Sequence, residues 1–401
     1  MRVLFITGEF PPMQGGVGDC TNEIAKGLVA CGVDVRVLTS INAKLLMPNA
    51  KFQILPSVVN WGWSCWRNIW NAYDAFTPDV IHIQYQTGAF GMHPAINFAP
   101  RYLKLPNTKF VTTFHDLRVP YLFPKAGPVR NWVTRVLAKS CDAVIATNDE
   151  DYVKLGRWHA KHLELIPIGS NITTTPPIDY DRNKWRIKLG VAENETLLCY
   201  FGFLNESKGG ETLIRALAQI PNAKLLMIGG QVGASDPTNA AYLTHVKSLI
   251  SDLQLTDRVL WTDFALPDVV SAHFYASDIC VLPYRDGASY RRGTLMAALA
   301  HGMAIVTTVI SGQSTVNSQQ STVNSNPSSV FRTRLPKLEN EINCLMIPPD
   351  NPQAIADAVQ RLNASPELRA KIAAGARELA QYFTWDKIAQ QHFELYNELV
   401  P

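Results

Sequence analysis

Two adjacent arginines, Arg291 and Arg292, stand immediately before Gly293 and Thr294, where the sequence predicts that a helix begins. The preceding apolar run, residues 279–282, predicts a buried parallel strand, so the arginines fall in a loop between a strand and a helix. The free amides of a helix N-terminus favour an anion, and an arginine can bind two phosphate oxygens at once. Phosphate binding is therefore one interpretation of this segment. A solvated basic turn explains the same residues equally well.

A lysine occupies a similar position earlier in the chain. Lys208 lies in the polar loop 205–210, between the predicted strand 196–202 and a helix that opens at residue 211. An ammonium group at a strand end and just before a helix is well placed to meet a phosphate. Lys208 is thus a second candidate for binding an anion.

His115 is the candidate for chemistry on a substrate. It follows the predicted strand 110–113 and stands next to Asp116. Ligands of an open α/β sheet bind outside the carboxyl ends of its strands, and a histidine there can hydrogen-bond to a substrate or carry a proton. A loop histidine that is satisfied by its neighbours is the alternative.

A glycine-rich segment, residues 15–18, follows the predicted N-terminal strand 2–7. It differs from the dinucleotide fingerprint because it lies eight residues beyond the strand, and no acidic residue ends the second strand, 34–39. A hydride-transferring dehydrogenase is therefore disfavoured. Gly15 and Gly16 instead offer a backbone that a ligand can approach closely, with a tight turn as the alternative.

The elements that must position these residues alternate between apolar strands and helices in both halves of the chain. A length of 401 residues exceeds what one core usually supports, and the segment Thr173 to Pro177 (TTTPP) interrupts the alternation. We predict an interdomain linker over residues 173–182. This pattern predicts an α/β protein with two doubly wound parallel sheets.

Four tryptophans, at positions 61, 63, 66 and 70, cluster around Arg67. Residues 1–170 contain 17 Lys and Arg against 12 Asp and Glu. A helix packed on the core is our first interpretation of the cluster, and a basic, aromatic face on a membrane or a lipid-linked acceptor is the alternative. No nucleic-acid motif, signal segment or bilayer-spanning run is evident, and the seven dispersed cysteines fit a reducing compartment. We therefore expect a cytoplasmic protein that can lie at the inner face of the cytoplasmic membrane.

Eight segments, in their order and spacing, resemble the GT-B glycosyltransferases of the large retaining family (family four type) that includes glycogen- and sucrose-synthase-like and polysaccharide-biosynthetic enzymes. They are FPPMQGGVG (10–18), TFHD (113–116), IPIGSN (166–171), FGFLNESKGGETL (201–213), MIGG (227–230), SDICVLPY (277–284), ALAHGMAIVTT (298–308) and NCLMIPPD (343–350). The resemblance covers nearly the whole chain.

The resemblance implies a GT-B fold, with two Rossmann-like domains facing across a cleft and a C-terminal helix that crosses back to the N-terminal domain. The domains would be an acceptor-side domain, 1–172, with 383–401 packing back on it, and a nucleotide-sugar-binding domain, 173–382. The implied reaction is retaining transfer of a hexose, with UDP-glucose favoured, to a glycan or lipid-linked saccharide. No protein nucleophile is expected, since the donor phosphate itself accepts the acceptor's proton. No cofactor or metal is expected either, because no Asp-based metal-binding motif is evident.

The resemblance also assigns roles to residues. His115 and Lys208 would be catalytic, the histidine beside the transferred sugar and the lysine on the leaving diphosphate. The donor-binding positions that it implies are Gly15, Gly16, Phe203, Lys208, Gly230, Ser289, Arg291, Arg292, Gly293, Thr294 and Leu295.

Two departures separate this chain from the family. Phe203 stands where the family usually has an arginine, and Ser289 and Ala297 stand where it has two glutamates. We predict that Arg291 or Arg292 compensates for the lost cation. The alternatives are an inactive GT-B module that binds a sugar or nucleotide without turnover and, among enzymes, a GT-B epimerase or phosphorylase.

Overall fold

The computed structural model describes residues 1–13, 15–43, 51–117, 127–231, 238–309 and 335–400. The described chain divides into two compact units. Unit 1 comprises residues of Met1–Asn171 and Phe383–Pro401 together with Leu335, and unit 2 comprises residues of Ile172–Val330 and Pro336–Tyr382.

Unit 1 contains a seven-stranded parallel sheet with the strand order β3-β2-β1-β4-β5-β6-β7. Its strands are β1 (Arg2–Thr7), β2 (Asp34–Ser40), β3 (Gln53–Val58), β4 (Val80–Tyr85), β5 (Lys109–Phe114), β6 (Ala143–Ala146) and β7 (Leu163–Leu165). Its helices are α1 (Gly16–Ala30), α2 (Cys65–Phe76), α3 (Ala95–Tyr102), α4 (Gly127–Ser140), α5 (Asp149–Arg157) and, at the end of the chain, α13 (Trp385–Leu399). Separate apolar clusters cover the two faces of the sheet, which is typical of a doubly wound fold.

Unit 2 contains a six-stranded parallel sheet with the order β10-β9-β8-β11-β12-β13. Its strands are β8 (Thr196–Phe201), β9 (Ala223–Ile228), β10 (Val259–Trp261), β11 (Ile279–Leu282), β12 (Ile305–Thr308) and β13 (Leu345–Ile347). Its helices are α6 (Arg182–Lys188), α7 (Gly210–Leu217), α8 (Thr238–Asp252), α9 (Pro267–Ala276), α10 (Gly293–Ala300), α11 (Pro352–Ala364) and α12 (Pro366–Ala380). Two Rossmann-like parallel-sheet units confirm the predicted fold class.

Two elements differ from the sequence prediction. Strand β3 was not predicted because Pro56 interrupts its apolar run; it lies at the edge of the sheet, where a missing backbone donor is tolerated. Helix α1 begins at Gly16, whereas the amphipathic pattern of residues 21–30 predicts a helix only from Thr21. Gly15 is extended and stands at the N-cap, and Gly16, Val17 and Gly18 form the first turn of α1.

The last helix, α13, packs on α1 within unit 1. Gly27 of α1 makes this contact close: a Cβ built on Gly27 would lie 2.4 Å from the Cβ of Ala389. The indole Nε1 of Trp385 donates to the carbonyl of Ser170 at 2.6 Å, which ties the start of α13 to the segment after β7. The prediction that the C-terminal helix packs on the N-terminal unit is therefore confirmed.

Candidate functional site

The strand order creates a switch point in each sheet. In unit 2, β8 and β11 are neighbours and the chain leaves them toward opposite sides of the sheet. Lys208 follows β8, and both Arg291 and Arg292 follow β11. Because crevices at such switch points bind ligands in open α/β sheets, we call the residues around these two strand ends the cationic half-site.

Lys208 is held close to the strand end by glycines. It ends a short 3-10 turn, Glu206–Lys208, and Gly209 follows with a left-handed φ of 69°. A Cβ at Gly209 would lie 2.0 Å from the carbonyl oxygen of Pro283, so the chain can turn there only with glycine. The result is a lysine packed against Gly202: a Cβ built on Gly202 would lie 3.4 Å from Lys208 Nζ.

The environment of Lys208 weakens its charged form. Burial, together with the nearby positive charge of Arg292, lowers the pKa of Lys208 to about 8. A diphosphate beside this ammonium would oppose both effects, since an opposite charge favours the protonated lysine. The half-site is therefore electrostatically prepared for an anion.

Both arginines contact a carboxylate that the sequence analysis had not singled out. Arg291 Nη2 lies 3.2 Å from Asp286 Oδ2, and Arg292 Nη2 pairs with Asp286 Oδ1. The guanidinium of Arg292 also lies 4.1 Å from the ring centroid of Tyr284, and its Nε is buried with no hydrogen-bond partner in the described chain. One carboxylate between two guanidinium groups leaves the cluster with a net positive charge.

The helix start beside the arginines is open on one side. Among the described residues, no atom beyond the chain neighbours of Gly293 and the backbone of its own helix lies within 4 Å of a Cβ built on Gly293, so none of them blocks a ligand at that position. Thr294 Oγ1 shares a hydrogen bond of 2.7 Å with Tyr284 Oη. Leu295 is fully buried, and its amide donates to the Arg292 carbonyl. Its side chain therefore anchors the first turn of α10 in the core. Ser289, whose carbonyl accepts from the Arg292 amide, is half-buried.

Phe203 and Gly230 also belong to the cationic half-site. A Cβ at Gly230 would lie 2.8 Å from the Phe203 ring, so the glycine makes room for the phenyl group. Lys208 Nζ lies 5.9 Å from the centroid of the same ring, within the range of a cation–π contact. The structure therefore brings all the predicted unit 2 positions to one end of the sheet; their binding roles stay predictions.

In unit 1, the switch point lies between β1 and β4, and His115 follows the next strand, β5. Its Nε2 lies 2.7 Å from Gln84 Oε1, and its amide donates to the carbonyl of Tyr85. Burial, with a smaller contribution from His392, lowers the pKa of His115 to about 3. The imidazole is therefore neutral at physiological pH and can exchange hydrogen bonds without carrying charge.

In the glycine-rich segment of unit 1, a backbone amide already binds a side chain of the protein. The Val17 amide donates to Glu9 Oε1 at 3.1 Å, so the first turn of α1 binds a carboxylate of the protein itself. A Cβ at Gly15 would lie 2.1 Å from that carboxylate, whereas a Cβ at Gly16 would meet no described atom within 4 Å beyond its chain neighbours and its own helix backbone. Glu9 stands where the resemblance predicts that the donor approaches, and the donor-binding roles of Gly15 and Gly16 stay predictions.

The sequence patterns did not indicate three residues that contact the candidate site: Glu9, Gln84 and Asp286. Glu9 and Asp286 follow strands β1 and β11 closely, which is the signal that singled out the lysine and the arginines. Gln84 is a polar residue inside a fully buried strand, and an uncompensated amide there would be costly. A glutamine within an apolar, buried strand therefore indicates that its side chain has a specific hydrogen-bond partner.

The described residues contain no group of three or more His, Cys, Asp or Glu side chains arranged to hold a metal ion. No helix among them is both long enough and apolar enough to traverse a bilayer.

The tryptophan cluster divides between the core and the surface. Trp61 is buried, which confirms the core interpretation for that residue. Trp63 and Trp70 are 53% and 46% exposed. Ring contacts of 5.9 Å join Trp63 to Phe98 and Phe98 to Trp132, so helices α3 and α4 continue the exposed aromatic face. The aromatic surface comprises Trp63, Trp66, Trp70, Phe98, Tyr102 and Trp132.

Comparison with known families gives two matches that together cover most of the chain. The family model "Glycosyltransferase Family 4" matches residues 14–173, and "Glycosyl transferases group 1" matches residues 195–365. A D-inositol 3-phosphate glycosyltransferase of Xylanimonas cellulosilytica is 27% identical over 79% of this chain and 71% of its own length. The enzyme of the same name from Jonesia denitrificans, 23% identical, aligns over only 56% of its length.

Solved structures show the same fold. Sucrose-phosphate synthase from Thermosynechococcus elongatus is 22% identical, with a TM-score of 0.74 over 100% of this chain and 99% of that one. HepE from Anabaena, solved with UDP and glucose, is 19% identical, with a TM-score of 0.75 over 99% and 100% of the two chains.

Proposed function

The chain belongs to the GT-B glycosyltransferases of the family four type, and we propose that it transfers a hexose from a nucleotide sugar, UDP-glucose being favoured, to a glycan or lipid-linked acceptor. We propose that transfer retains the anomeric configuration and serves polysaccharide biosynthesis. The observation that carries the proposal is the cationic half-site. Lys208, Arg291 and Arg292 come together there, beside an open helix start.

The proposed chemistry follows from where charge develops. As the bond to the sugar breaks, negative charge grows on the leaving diphosphate, and fixed cations stabilise it without reorganising. Lys208, the arginines and the amides of Gly293 and Thr294 supply positive charge for this purpose. The donor phosphate accepts the acceptor's proton, so no protein base is required. We further propose that these cations take the place of a metal and that EDTA leaves turnover unchanged.

We assign His115 to the transferred sugar. A neutral imidazole can hydrogen-bond to a sugar hydroxyl and favour the oxocarbenium-like transition state, and the low pKa of His115 keeps its ring neutral. His115→Ala should reduce kcat and leave the Kd for UDP unchanged, because UDP lacks the sugar that the imidazole would contact.

Nucleotide binding is the first experiment. A ligand that binds only the folded protein raises its melting temperature according to its concentration and affinity. We expect UDP to raise the melting temperature more than GDP or ADP, and Lys208→Ala to reduce that shift. No shift with any of the three nucleotides would refute a nucleotide-sugar donor.

An inactive binding module is the second candidate. Ala297 is fully buried on α10, and Ser289 lies in the loop before it, at the positions where the family usually has glutamates. An inactive module would bind UDP and show the same thermal shift, but it would release no UDP from UDP-glucose. The two candidates therefore separate on turnover alone.

For the acceptor side, we propose that the aromatic surface of unit 1 rests on an anionic membrane leaflet at the cytoplasmic face. Trp132 and Tyr102 are each 58% exposed, and amphipathic rings of this kind favour the membrane interface. The neighbouring exposed cations, Arg67, Arg101 and Arg135, complement anionic headgroups.

Vesicle flotation tests this contact. The protein should float with vesicles of phosphatidylcholine and phosphatidylglycerol but not with phosphatidylcholine alone, and the double variant Trp63→Ser, Trp132→Ser should bind less. Phe264→Ser, which removes an aromatic ring that is 68% exposed in unit 2, is the matched control and should bind as wild type does. If the double tryptophan variant and Phe264→Ser both float with the vesicles to the same extent as the wild type, the proposal is contradicted.

A further inference from the structure

A chain of buried hydrogen bonds joins His115 to the last helix of the protein. His115 Nε2 lies 2.7 Å from Gln84 Oε1, and the amide nitrogen of Gln84 lies 3.3 Å from His82 Nε2. His82 Nδ1 lies 2.5 Å from the hydroxyl of Tyr396 on α13, and Thr113 Oγ1 lies 2.8 Å from His82 Nε2. The strand pleat explains the alignment, because His82 and Gln84 are two residues apart and share one face of β4.

Most of the side chains in this series of hydrogen bonds are shielded from solvent. His82, Gln84 and Tyr396 are fully buried, and Thr113 is nearly so. His392, one turn before Tyr396, lies 5.6 Å from His82 between ring centroids and donates from Nδ1 to the carbonyl of Ile388. Buried polar groups of this kind need complementary partners, so each hydrogen bond constrains the next.

Such a chain has a direction. A neutral imidazole has one N–H and one lone pair, and a glutamine side chain presents a donor at one end and an acceptor at the other. If Gln84 donates to His82 Nε2, His82 must carry its proton on Nδ1 and donate to Tyr396. Gln84 then accepts from His115 Nε2–H, and His115 Nδ1 keeps its lone pair. If Tyr396 donates instead, every member reverses and the His115 proton moves to Nδ1.

We propose that Tyr396 is a positioning residue that, through His82 and Gln84, determines which ring nitrogen of His115 carries the proton. In the structure, the orientation of Gln84 places the proton on Nε2 of His115 and leaves Nδ1 to accept a hydrogen bond from a hydroxyl of the donor sugar. The helix at the end of the chain thereby acts on the histidine from three hydrogen bonds away. This inference rests on the proposed role of His115 only for its effect on turnover.

Tyr396→Phe removes the far partner without emptying its space. It leaves His82 Nδ1–H without an acceptor, and the chain can satisfy His82 only by reversing, with Nε2–H donating to Thr113. We expect the His115 proton to move from Nε2 to Nδ1 in this variant. Because the sugar hydroxyl would then face a donor, kcat should fall at least about tenfold, while the Kd for UDP stays unchanged.

Tyr85→Phe is the matched control. Tyr85 lies next to Gln84 on β4 and is buried, and its hydroxyl accepts from Asn97 Nδ2 at 2.9 Å and from Thr87 Oγ1 at 3.3 Å. The variant keeps the backbone carbonyl that accepts from the His115 amide and loses only hydrogen bonds outside the series from Tyr396 to His115. We expect wild-type kcat and a wild-type His115 tautomer. An equal loss of kcat in both tyrosine variants would indicate a general structural effect and overturn the proposal.

The tautomer is measured directly by long-range 1H–15N correlation spectra of the ¹⁵N-histidine-labelled protein, with the His115 signals assigned from their absence in His115→Ala. Nε2–H in the wild type and Nδ1–H in Tyr396→Phe would support the proposal. The same tautomer in both proteins, or Nδ1–H in the wild type, would overturn it. A changed tautomer with unchanged kcat would support the inference and refute the proposed contact of His115 with the sugar.

Discussion

Lys208 is a residue whose charge the fold brings close to titration. Its pKa is lowered to about 8 by burial and by the charge of Arg292, and it lies against Gly202 at the switch point of unit 2. A lysine with this pKa loses its proton within the range of ordinary enzyme assays. Its charge state therefore becomes an observable of the proposed reaction.

We predict that kcat/KM falls as the pH rises through about 8, because the protonated form of Lys208 stabilises the leaving diphosphate and its lowered pKa removes that form at alkaline pH. Lys208→Arg should retain turnover at higher pH, since a guanidinium stays charged there. Lys208→Ala should reduce kcat about a hundredfold to a thousandfold, as loss of an oxyanion donor does. An alkaline limb that persists in Lys208→Arg would belong to another group.

Arg291→Ala and Arg292→Ala test the compensation for Phe203. A hydrogen bond to a charged group contributes about 1.5–3 kcal/mol, so at least one variant should bind UDP roughly tenfold to a hundredfold more weakly by calorimetry. Arg285→Ala is the control, because Arg285 lies in the same loop and pairs with Glu206 at 2.6 Å and Asp350 at 2.9 Å. Wild-type affinity in both test variants would refute the compensation and favour the inactive module.

His115, Lys208 and the two arginines were predictable from the sequence because each follows an apolar run that predicts a strand, whereas positions such as Phe203 and Gly230 came from the resemblance to the family. What could not be predicted is how they pair: Asp286 lies between the two arginines, and Glu9 caps the first turn of α1. Both contacts depend on side-chain conformations within loops, and strand and helix periodicity carries no information on these.

At the scale of elements, most strands of both sheets were predictable because buried parallel strands are continuous apolar runs. The missed strand β3 contains a proline, and the early start of α1 lies in glycines that sequence patterns assign to loops. Strand β3 tolerates its proline because it lies at the edge of the sheet. Helix α1 can begin among glycines because the Glu9 carboxylate accepts a hydrogen bond from its first turn.

The contact between α1 and α13 gives a prediction at this scale. Gly27→Ala should lower the melting temperature, because the new Cβ would lie 2.4 Å from that of Ala389 and overpacking costs about 1–3 kcal/mol. Gly16→Ala, in the same helix, should be neutral, because no described residue outside that helix and its chain neighbours has an atom within 4 Å of the new Cβ. Equal melting temperatures for the two variants would mean that the helices can separate at no cost.

At the scale of the whole molecule, the chain consists of two Rossmann-like units, and each has its own switch point with polar residues beyond it. The fold was predictable because its repeated alternation of strands and helices is a long-range pattern. The residues that link α13 to His115 were not, because His82 and Tyr396 are 314 positions apart and only the folded chain brings them together. Sequence motifs near His115 do not include either residue.

The central claim is that this chain turns over a nucleotide sugar although the two usual glutamates are replaced by Ser289 and Ala297. The most direct measurement is release of nucleoside diphosphate from a panel of nucleotide sugars, with and without saccharide acceptors, by the wild type and by Lys208→Ala. We predict UDP release from a UDP-hexose that depends on an acceptor and is lost in Lys208→Ala. Binding of UDP without release of UDP from any donor and acceptor pair would contradict the claim and identify the protein as an inactive module.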